Sequence, residues 1–228
     1  MLKWMSSTFI AALFVAGTAA AQFNAVAGKD YNLVNPPQNT DGDAPVEVLE
    51  FFAYGCIHCF TLEPKLDVWA KAQTKDVKVK RVPTPFALRG VDSTPIYYTL
   101  EAMGVADKLH LKVFEAIHND NVVLGNPDVR YQWLARNGVD VKKYQEIEKS
   151  FAIVNKVNRA KSLTQAYKIE STPTLIVNGK FSVLNGDRMF QVVDTLIANI
   201  RSTSAPTPTA AAAPAATAAP APKKTATK

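Results

Sequence analysis

Cysteine and histidine are both scarce in this chain of 228 residues, which has two cysteines and three histidines. A closed structural zinc site needs four ligands, so a second close pair should accompany Cys56 and Cys59. The other candidates are His58, inside the pair, and His110 and His118, whose spacing also suits ordinary core or surface positions in a helix. A structural disulfide fits poorly too, because two intervening residues close almost no loop. We therefore expect no bound metal.

The sequence also lacks an apolar run of the roughly 20 residues that span a bilayer. Its N-terminus has Lys3, a short apolar run over residues 9–15 and small residues up to Ala21. This pattern is typical of a secretory signal peptide. We predict a signal peptide over residues 1–21, cleaved near Ala20–Ala21, and export to the periplasm, where thiols can oxidise.

The C-terminal segment 202–228 has neither an aromatic nor an acidic residue. It cannot bury enough surface to offset its ordering entropy, so we predict a disordered tail, with spacing or weak cell-wall attachment as the alternative role. The net charge is +6, and removing Lys3 and the three tail lysines leaves +2 for the body. We therefore expect no nucleic-acid partner.

The pattern of the remaining chain, about residues 22–201, predicts an α/β unit that a block of helices interrupts. The run VEVLEFFAY, residues 46–54, predicts a buried strand, a helix follows Gly55, and DVKVKRV, residues 76–82, predicts a second, parallel strand. Helix start and stop signals then recur, with Ser93 or Thr94, Asn126 and Asp140 as starts, and a last long helix over about 152–167. Strands return as a hairpin around Asn178–Gly179, before a closing helix with Asp187 as its cap.

Redox chemistry suits the Cys-Ile-His-Cys segment for a physical reason. Cys56 lies where the strand ends and the helix begins, so unpaired backbone N–H groups and the helix dipole favour its thiolate. Cys59 follows one turn later on the same face, shielded by the helix. Cys56 is thus predicted to attack and Cys59 to resolve, with His58 adding a donor beside the Cys56 sulfur. Each unit of pKa depression at Cys56 favours the thiolate by about 1.4 kcal/mol, which makes the disulfide more oxidising by roughly 30 mV.

Glu50 lies inside the apolar run LEFF. If that strand is central, its carboxyl is buried with a raised pKa and is a proton acceptor for Cys59 during exchange. The alternative is a carboxylate that reaches solvent at the strand end. Pro173 begins a strand just before the hairpin, a place that suits a cis peptide bond, although most bonds before proline are trans.

The segments FFAYGCIHCF and STPTLIVNGKF, together with the signal peptide and the helical insertion, resemble the DsbA-type periplasmic thiol:disulfide oxidoreductases over about residues 30–200. The resemblance implies a thioredoxin fold, with a thioredoxin-like domain over 22–87 and 162–201 and a helical insertion over 88–161. It implies that Glu50 is a buried acid and that Thr172 and Pro173 form a cis-proline loop that holds substrate backbone beside Cys56. Two departures are Ile57, where the best-known members have proline, and Thr172, where some have valine; we expect Ile57 to contact substrate with Thr172 and Pro173.

By the same resemblance, the Cys56–Cys59 disulfide is the only redox group, with no further cofactor. Its substrates would be reduced or unfolded exported proteins, and a quinone-linked membrane oxidase of the DsbB type would reoxidise a monomeric enzyme. The alternatives are a periplasmic reductase or isomerase, although no separate dimerisation segment is visible, and a peptide-binding, chaperone-like module with a vestigial disulfide.

Overall fold

A computed structural model describes residues 23–204, so the predicted signal peptide and residues 205–228 of the predicted tail lie outside the described part. The described chain contains a five-stranded sheet in the order β1-β5-β4-β2-β3. The strands are β1 (Asn32–Leu33), β2 (Val46–Phe52), β3 (Val77–Pro83), β4 (Thr174–Val177) and β5 (Phe181–Leu184).

Helices cover both faces of this sheet. They are α1 (Ile57–Ala72), α2 (Ser93–Ala102), α3 (Ala106–His118), α4 (Pro127–Arg136), α5 (Val141–Glu148), α6 (Phe151–Ala166) and α7 (Met189–Ser204), with a short 3-10 helix at Leu88–Gly90. The five helices α2 to α6 lie in sequence between β3 and β4, which confirms the predicted thioredoxin-type α/β fold with a helical insertion. None of the helices in residues 23–204 is long and apolar enough to cross a membrane.

Strand β2 lies next to the centre of the sheet and carries the chain into the cysteine segment. It pairs in parallel with β3 and antiparallel with β4, and all seven of its residues are buried. Val46 and Val48 pack in one apolar cluster with residues of α1 and α7, whereas Leu49 and Phe51 pack in a second cluster with the insertion helices. Burial on both faces explains the nearly continuous apolar run and confirms the predicted buried strand.

The hairpin is also confirmed, since β4 and β5 pair antiparallel around Asn178 and Gly179. Both residues have positive φ, 50° and 66°, and the Lys180 N–H donates to the Val177 carbonyl at 3.0 Å. Because Val177 pairs with Phe181, the loop of the hairpin consists of the three residues 178–180. The edge strand β1 was not predicted, because two residues are too few to display an alternating pattern.

Three helix boundaries differ from the predictions. Asp92, not Ser93 or Thr94, caps α2, because its carboxylate accepts the Thr94 backbone N–H at 2.9 Å while the Ser93 hydroxyl is used elsewhere. Helix α7 begins at Met189, so Arg188 and not Asp187 precedes it, and it continues to Ser204, three residues into the predicted tail. The caps Asn126 and Asp140 are confirmed. The predicted domain boundary between residues 161 and 162 falls inside α6.

Candidate active site

Cys56 and Cys59 lie at the N-terminus of α1, where β2 delivers the chain to the helix. Cys56 is the residue that precedes the first helical turn, in an extended conformation with φ −90° and ψ 116°. Cys59 is fully buried, Cys56 is 8% exposed, and neither is in a disulfide in this structure. The sequence therefore places one sulfur at the open end of the helix and the other one turn inside the protein.

The two thiols are perturbed in opposite directions. A hydrogen bond from the Cys59 thiol is the largest cause that lowers the pKa of Cys56 to about 5. Burial acts against it, whereas Thr172 and the backbone N–H groups of His58 and Cys59 act with it. The pKa of Cys59 is raised, first by burial and then by the neighbouring Cys56, with a smaller contribution from Glu50. Near neutral pH, Cys56 is therefore the thiolate and Cys59 the thiol.

The loop before β4 contacts the attacking sulfur. The Thr172 carbonyl oxygen lies 3.2 Å from Cys56 Sγ, so it accepts a hydrogen bond when Cys56 is a protonated thiol and by itself favours the thiol. The side chain of Thr172 acts in the opposite direction and favours the thiolate. The Thr172–Pro173 peptide bond is cis, as the resemblance implied, and Pro173 is buried while Thr172 is partly exposed. The loop and the N-terminus of α1 thus face each other across Cys56.

Glu50 is fully buried in β2, which excludes the alternative of a carboxylate reaching solvent. Burial raises the pKa of Glu50, the negative charge of Glu63 raises it further, and Arg81 opposes both. Arg81 lies opposite Glu50 on β3, and its Nε is 3.5 Å from Glu50 Oε2, but neither carboxylate oxygen has an aligned hydrogen bond among the described residues. This geometry favours the protonated form of Glu50.

A second buried carboxylate, Glu63, competes for the same arginine. Arg81 Nη2 pairs with Glu63 Oε1, and His110 Nε2 lies 3.2 Å from Glu63 Oε2. Burial alone would raise the pKa of Glu63, but His110 and Arg81 hold it below its ordinary value. Sequence reasoning missed Glu63 and Arg81, although Glu63 lies four residues after Cys59 and thus on the same helix face.

Ile57 and His58 lie between the cysteines on the exposed side of the turn. Ile57 is 52% exposed, and His58 is also exposed. The backbone N–H of His58 stabilises the Cys56 thiolate, whereas the described contacts include no hydrogen bond of its imidazole. Leu88, 40% exposed, packs its backbone against Gly55 so closely that a Cβ added at Gly55 would lie 2.1 Å from the Leu88 carbonyl oxygen. Leu88 therefore adds apolar surface near the turn that the sequence did not indicate.

Residues 23–204 contain no group of three or more histidine, cysteine, aspartate or glutamate side chains arranged to hold a metal ion. The chemistry that the described site offers is a thiolate, a buried thiol and a buried acid within one turn of helix and its supporting strand.

Comparisons with known proteins agree with this arrangement. A profile of the family described as "DSBA-like thioredoxin domain" matches residues 89–197. The thiol:disulfide interchange protein DsbA of Bordetella parapertussis is 38% identical over 207 residues, which cover 86% of this chain and 99% of that protein. Its counterpart from Pseudomonas aeruginosa PAO1 is 37% identical over 172 residues, covering 75% and 81%. The crystal structure of Pseudomonas aeruginosa DsbA matches with a TM-score of 0.74 at 34% identity, covering 78% of this chain and 96% of that one.

Proposed function

The chain belongs to the DsbA family of thiol:disulfide oxidoreductases, and we propose that it donates the Cys56–Cys59 disulfide to reduced exported proteins. The observation that carries this proposal is the opposite perturbation of the two thiols, with the pKa of Cys56 lowered to about 5 and that of Cys59 raised. A stabilised thiolate exists only in the reduced enzyme, so it favours transfer of the disulfide to substrate. A low pKa at the first cysteine and a strongly oxidising disulfide are established properties of this family.

The first step is attack of a substrate thiolate on Cys56 Sγ. A bond forms between the substrate sulfur and Cys56, and the Cys56–Cys59 bond breaks with its electron pair on Cys59. Because burial raises the pKa of Cys59, its thiolate takes up a proton, and Glu50 on strand β2 is the proposed donor. The exposed Ile57 and the Thr172–Pro173 loop are proposed to hold the substrate chain beside the mixed disulfide.

The second step releases the product. A second substrate thiolate attacks the substrate sulfur of the mixed disulfide, the substrate disulfide forms, and Cys56 leaves as a thiolate. The backbone N–H groups of His58 and Cys59 stabilise this leaving group. We assign His58 the added role of placing a donor, and positive charge when protonated, near the departing sulfur.

Reoxidation runs the same chemistry in reverse. Cys59 must lose its proton before it attacks a mixed disulfide at Cys56, and Glu50 is then the acceptor. We propose a quinone-linked membrane oxidase of the DsbB type as the electron acceptor, a periplasmic location after cleavage near Ala20–Ala21, and no cofactor beyond the disulfide. The relatives named thiol:disulfide interchange protein DsbA support this setting.

The test is equilibration of the protein, processed to begin near residue 22, with glutathione redox buffers at pH 7. We expect the reduced enzyme to dominate at low ratios of reduced to oxidised glutathione, and Cys56→Ser to abolish oxidation of a reduced peptide. A disulfide that resists glutathione would reverse the direction of electron flow and favour a reductase. If Cys56→Ser suppressed aggregation of an unfolded protein as well as the wild type does, with no oxidation by either, a binding module would be the better description.

A further inference from the structure

Tyr54, two residues before Cys56, is held by the helical insertion at all of its polar groups. Its backbone N–H donates to the Ser93 hydroxyl at 2.7 Å, and its phenolic oxygen lies 2.9 Å from His110 Nδ1. Its carbonyl oxygen lies 2.9 Å from His118 Nε2. Ser93 begins α2, whereas the two histidines belong to α3. Two insertion helices therefore hold one residue of the active-site turn, which is the turn of residues 53–56 that leads from β2 into α1.

The contact with His118 is the one best placed to control the turn. A carbonyl oxygen can only accept, so His118 Nε2 carries the hydrogen and donates it to Tyr54. The ring of His118 also stacks on Phe60, with centroids 5.3 Å apart and planes inclined by 9°. Phe60 directly follows Cys59, and its backbone N–H donates to the Cys56 carbonyl at 3.1 Å. His118 therefore contacts both sides of the Cys-Ile-His-Cys segment.

The turn depends on this support because the sheet no longer holds it. Strand β2 ends at Phe52, and Tyr54 is fully buried, so its carbonyl has no solvent to replace a lost donor. Gly55 follows, and the Cys56 N–H donates back to the Ala53 carbonyl at 3.0 Å. A rotation of the peptide between Tyr54 and Gly55 would carry Cys56 away from the N–H groups of the first helical turn.

We propose that His118 is a positioning residue for the redox reaction, which fixes the Tyr54 carbonyl and thereby holds Cys56 in line with the N-terminus of α1. The inference rests on the proposed function, since it concerns how the thiolate of that reaction is stabilised. Without the donor, the orientations of Cys56 relative to those N–H groups spread, the thiolate loses stabilisation, and the disulfide becomes less oxidising. Ser93 acts in the same direction through the Tyr54 N–H.

Two substitutions separate the donor from the ring. His118→Phe keeps an aromatic face against Phe60 but removes the donor, whereas His118→Gln keeps an N–H donor and removes the ring. Lys112→Ala is the control, since Lys112 is exposed on the same helix. For each variant we would titrate the Cys56 thiolate of the reduced protein by its absorbance at 240 nm, measure the glutathione equilibrium constant, and follow thermal unfolding of the oxidised form.

We expect His118→Phe to raise the Cys56 pKa by about one unit, which shifts the glutathione equilibrium about tenfold toward the disulfide. His118→Gln should raise the Cys56 pKa by less than about half a unit, with a correspondingly smaller shift of the glutathione equilibrium. Lys112→Ala should leave the pKa and the equilibrium unchanged. A purely structural role would lower the melting temperature of His118→Phe and leave the Cys56 pKa at its wild-type value, which would overturn the inference. Equal shifts in His118→Phe and His118→Gln would overturn it as well, because the ring and not the donor would then matter.

If His118→Phe does not fold, Ser93→Ala is measured in the same way and must raise the Cys56 pKa for the inference to stand. The wild-type titration separates this inference from the proposed function. A wild-type Cys56 pKa near its ordinary value would refute the basis of the proposed function itself. A low wild-type value that no Tyr54-directed substitution moves would refute only the role of His118.

Discussion

The hydrogen bond from Cys59 to Cys56 makes a sharp prediction about the attacking thiol. It is the largest of the causes that lower the pKa of Cys56 to about 5. Cys59→Ala removes the donor, whereas Cys59→Ser replaces the thiol by a hydroxyl that can still donate. Both variants leave Cys56 as the only cysteine of the chain, so a thiolate titration reports on one group.

The magnitude follows from the strength of a hydrogen bond to a charged acceptor. Such a bond contributes about 1.5–3 kcal/mol, and one pKa unit corresponds to about 1.4 kcal/mol. Cys59→Ala should therefore raise the Cys56 pKa by about one to two units, while Cys59→Ser should keep it within roughly half a unit of the wild type. The assay is absorbance at 240 nm against pH, checked by the pH dependence of alkylation by iodoacetamide.

The result that would refute this reasoning is a Cys59→Ala variant whose Cys56 still titrates near the wild-type value. In that case the backbone N–H groups of His58 and Cys59, together with the helix dipole, would supply the stabilisation without help from the second thiol. The low pKa would then be a property of the helix terminus and not of the pair.

Three further predictions follow from the same site. Reduction of the disulfide takes up one proton, on Cys59, because Cys56 stays ionised above about pH 5. The reduction potential should therefore become more negative by about 30 mV per pH unit near pH 7. A slope near about 60 mV per pH unit would contradict the assignment of Cys56 as the thiolate. The lowered pKa of Cys56 stabilises the reduced fold fully above the unfolded pKa, near 9, and this contribution is lost as pH falls through about 5. At pH 7 this contribution to the free energy of unfolding is at most about 3 kcal/mol, or about 2 kcal/mol after solvent screening. Urea unfolding of reduced wild type and reduced Cys56→Ala at pH 4 and pH 7 measures it. Glu50→Gln removes the acid beneath Cys59, so stopped-flow reoxidation by oxidised glutathione should slow at least about tenfold with the Cys56 pKa little changed, and an unaltered rate would exclude Glu50 as the proton carrier.

The local parts of the fold could be predicted because their signals are local. The apolar run ending at Gly55, the Asn178–Gly179 turn and the caps Asn126 and Asp140 all act through neighbours in sequence, and the structure has them where predicted. The predicted cap of α2 was wrong because of a partner that is distant in sequence. Ser93 is a good cap by type, but its hydroxyl is taken by the Tyr54 N–H, 39 residues away, which leaves Asp92 to cap the helix.

The supporting residues of the site could not be predicted, because they meet only through the register of the sheet and the docking of the insertion. In the sequence, Arg81 is one of several cations in a strand with an alternating pattern. Only the pairing of β2 with β3, which places Arg81 opposite Glu50, brings it to that buried carboxyl group. His110 and His118 read as ordinary helical histidines, and only the packing of α3 brings them both to Tyr54.

The proposed role of Glu50 as a proton donor depends on how Glu50 and Glu63 share the guanidinium of Arg81. An aligned ion pair with Arg81 would hold Glu50 ionised and leave it no proton to donate to Cys59. Glu63 prevents this, because it engages Nη2 of Arg81 and leaves only Nε at 3.5 Å from Glu50. The charge of Glu63 then adds to the burial that raises the pKa of Glu50. If both Glu50 and Glu63 were ionised, they and Arg81 would together carry one excess negative charge in a buried space. Protonation of Glu50 removes that charge and is therefore favoured. Replacing Glu63 by glutamine should release Arg81 to Glu50, lower the Glu50 pKa and slow protonation of the leaving Cys59 thiolate.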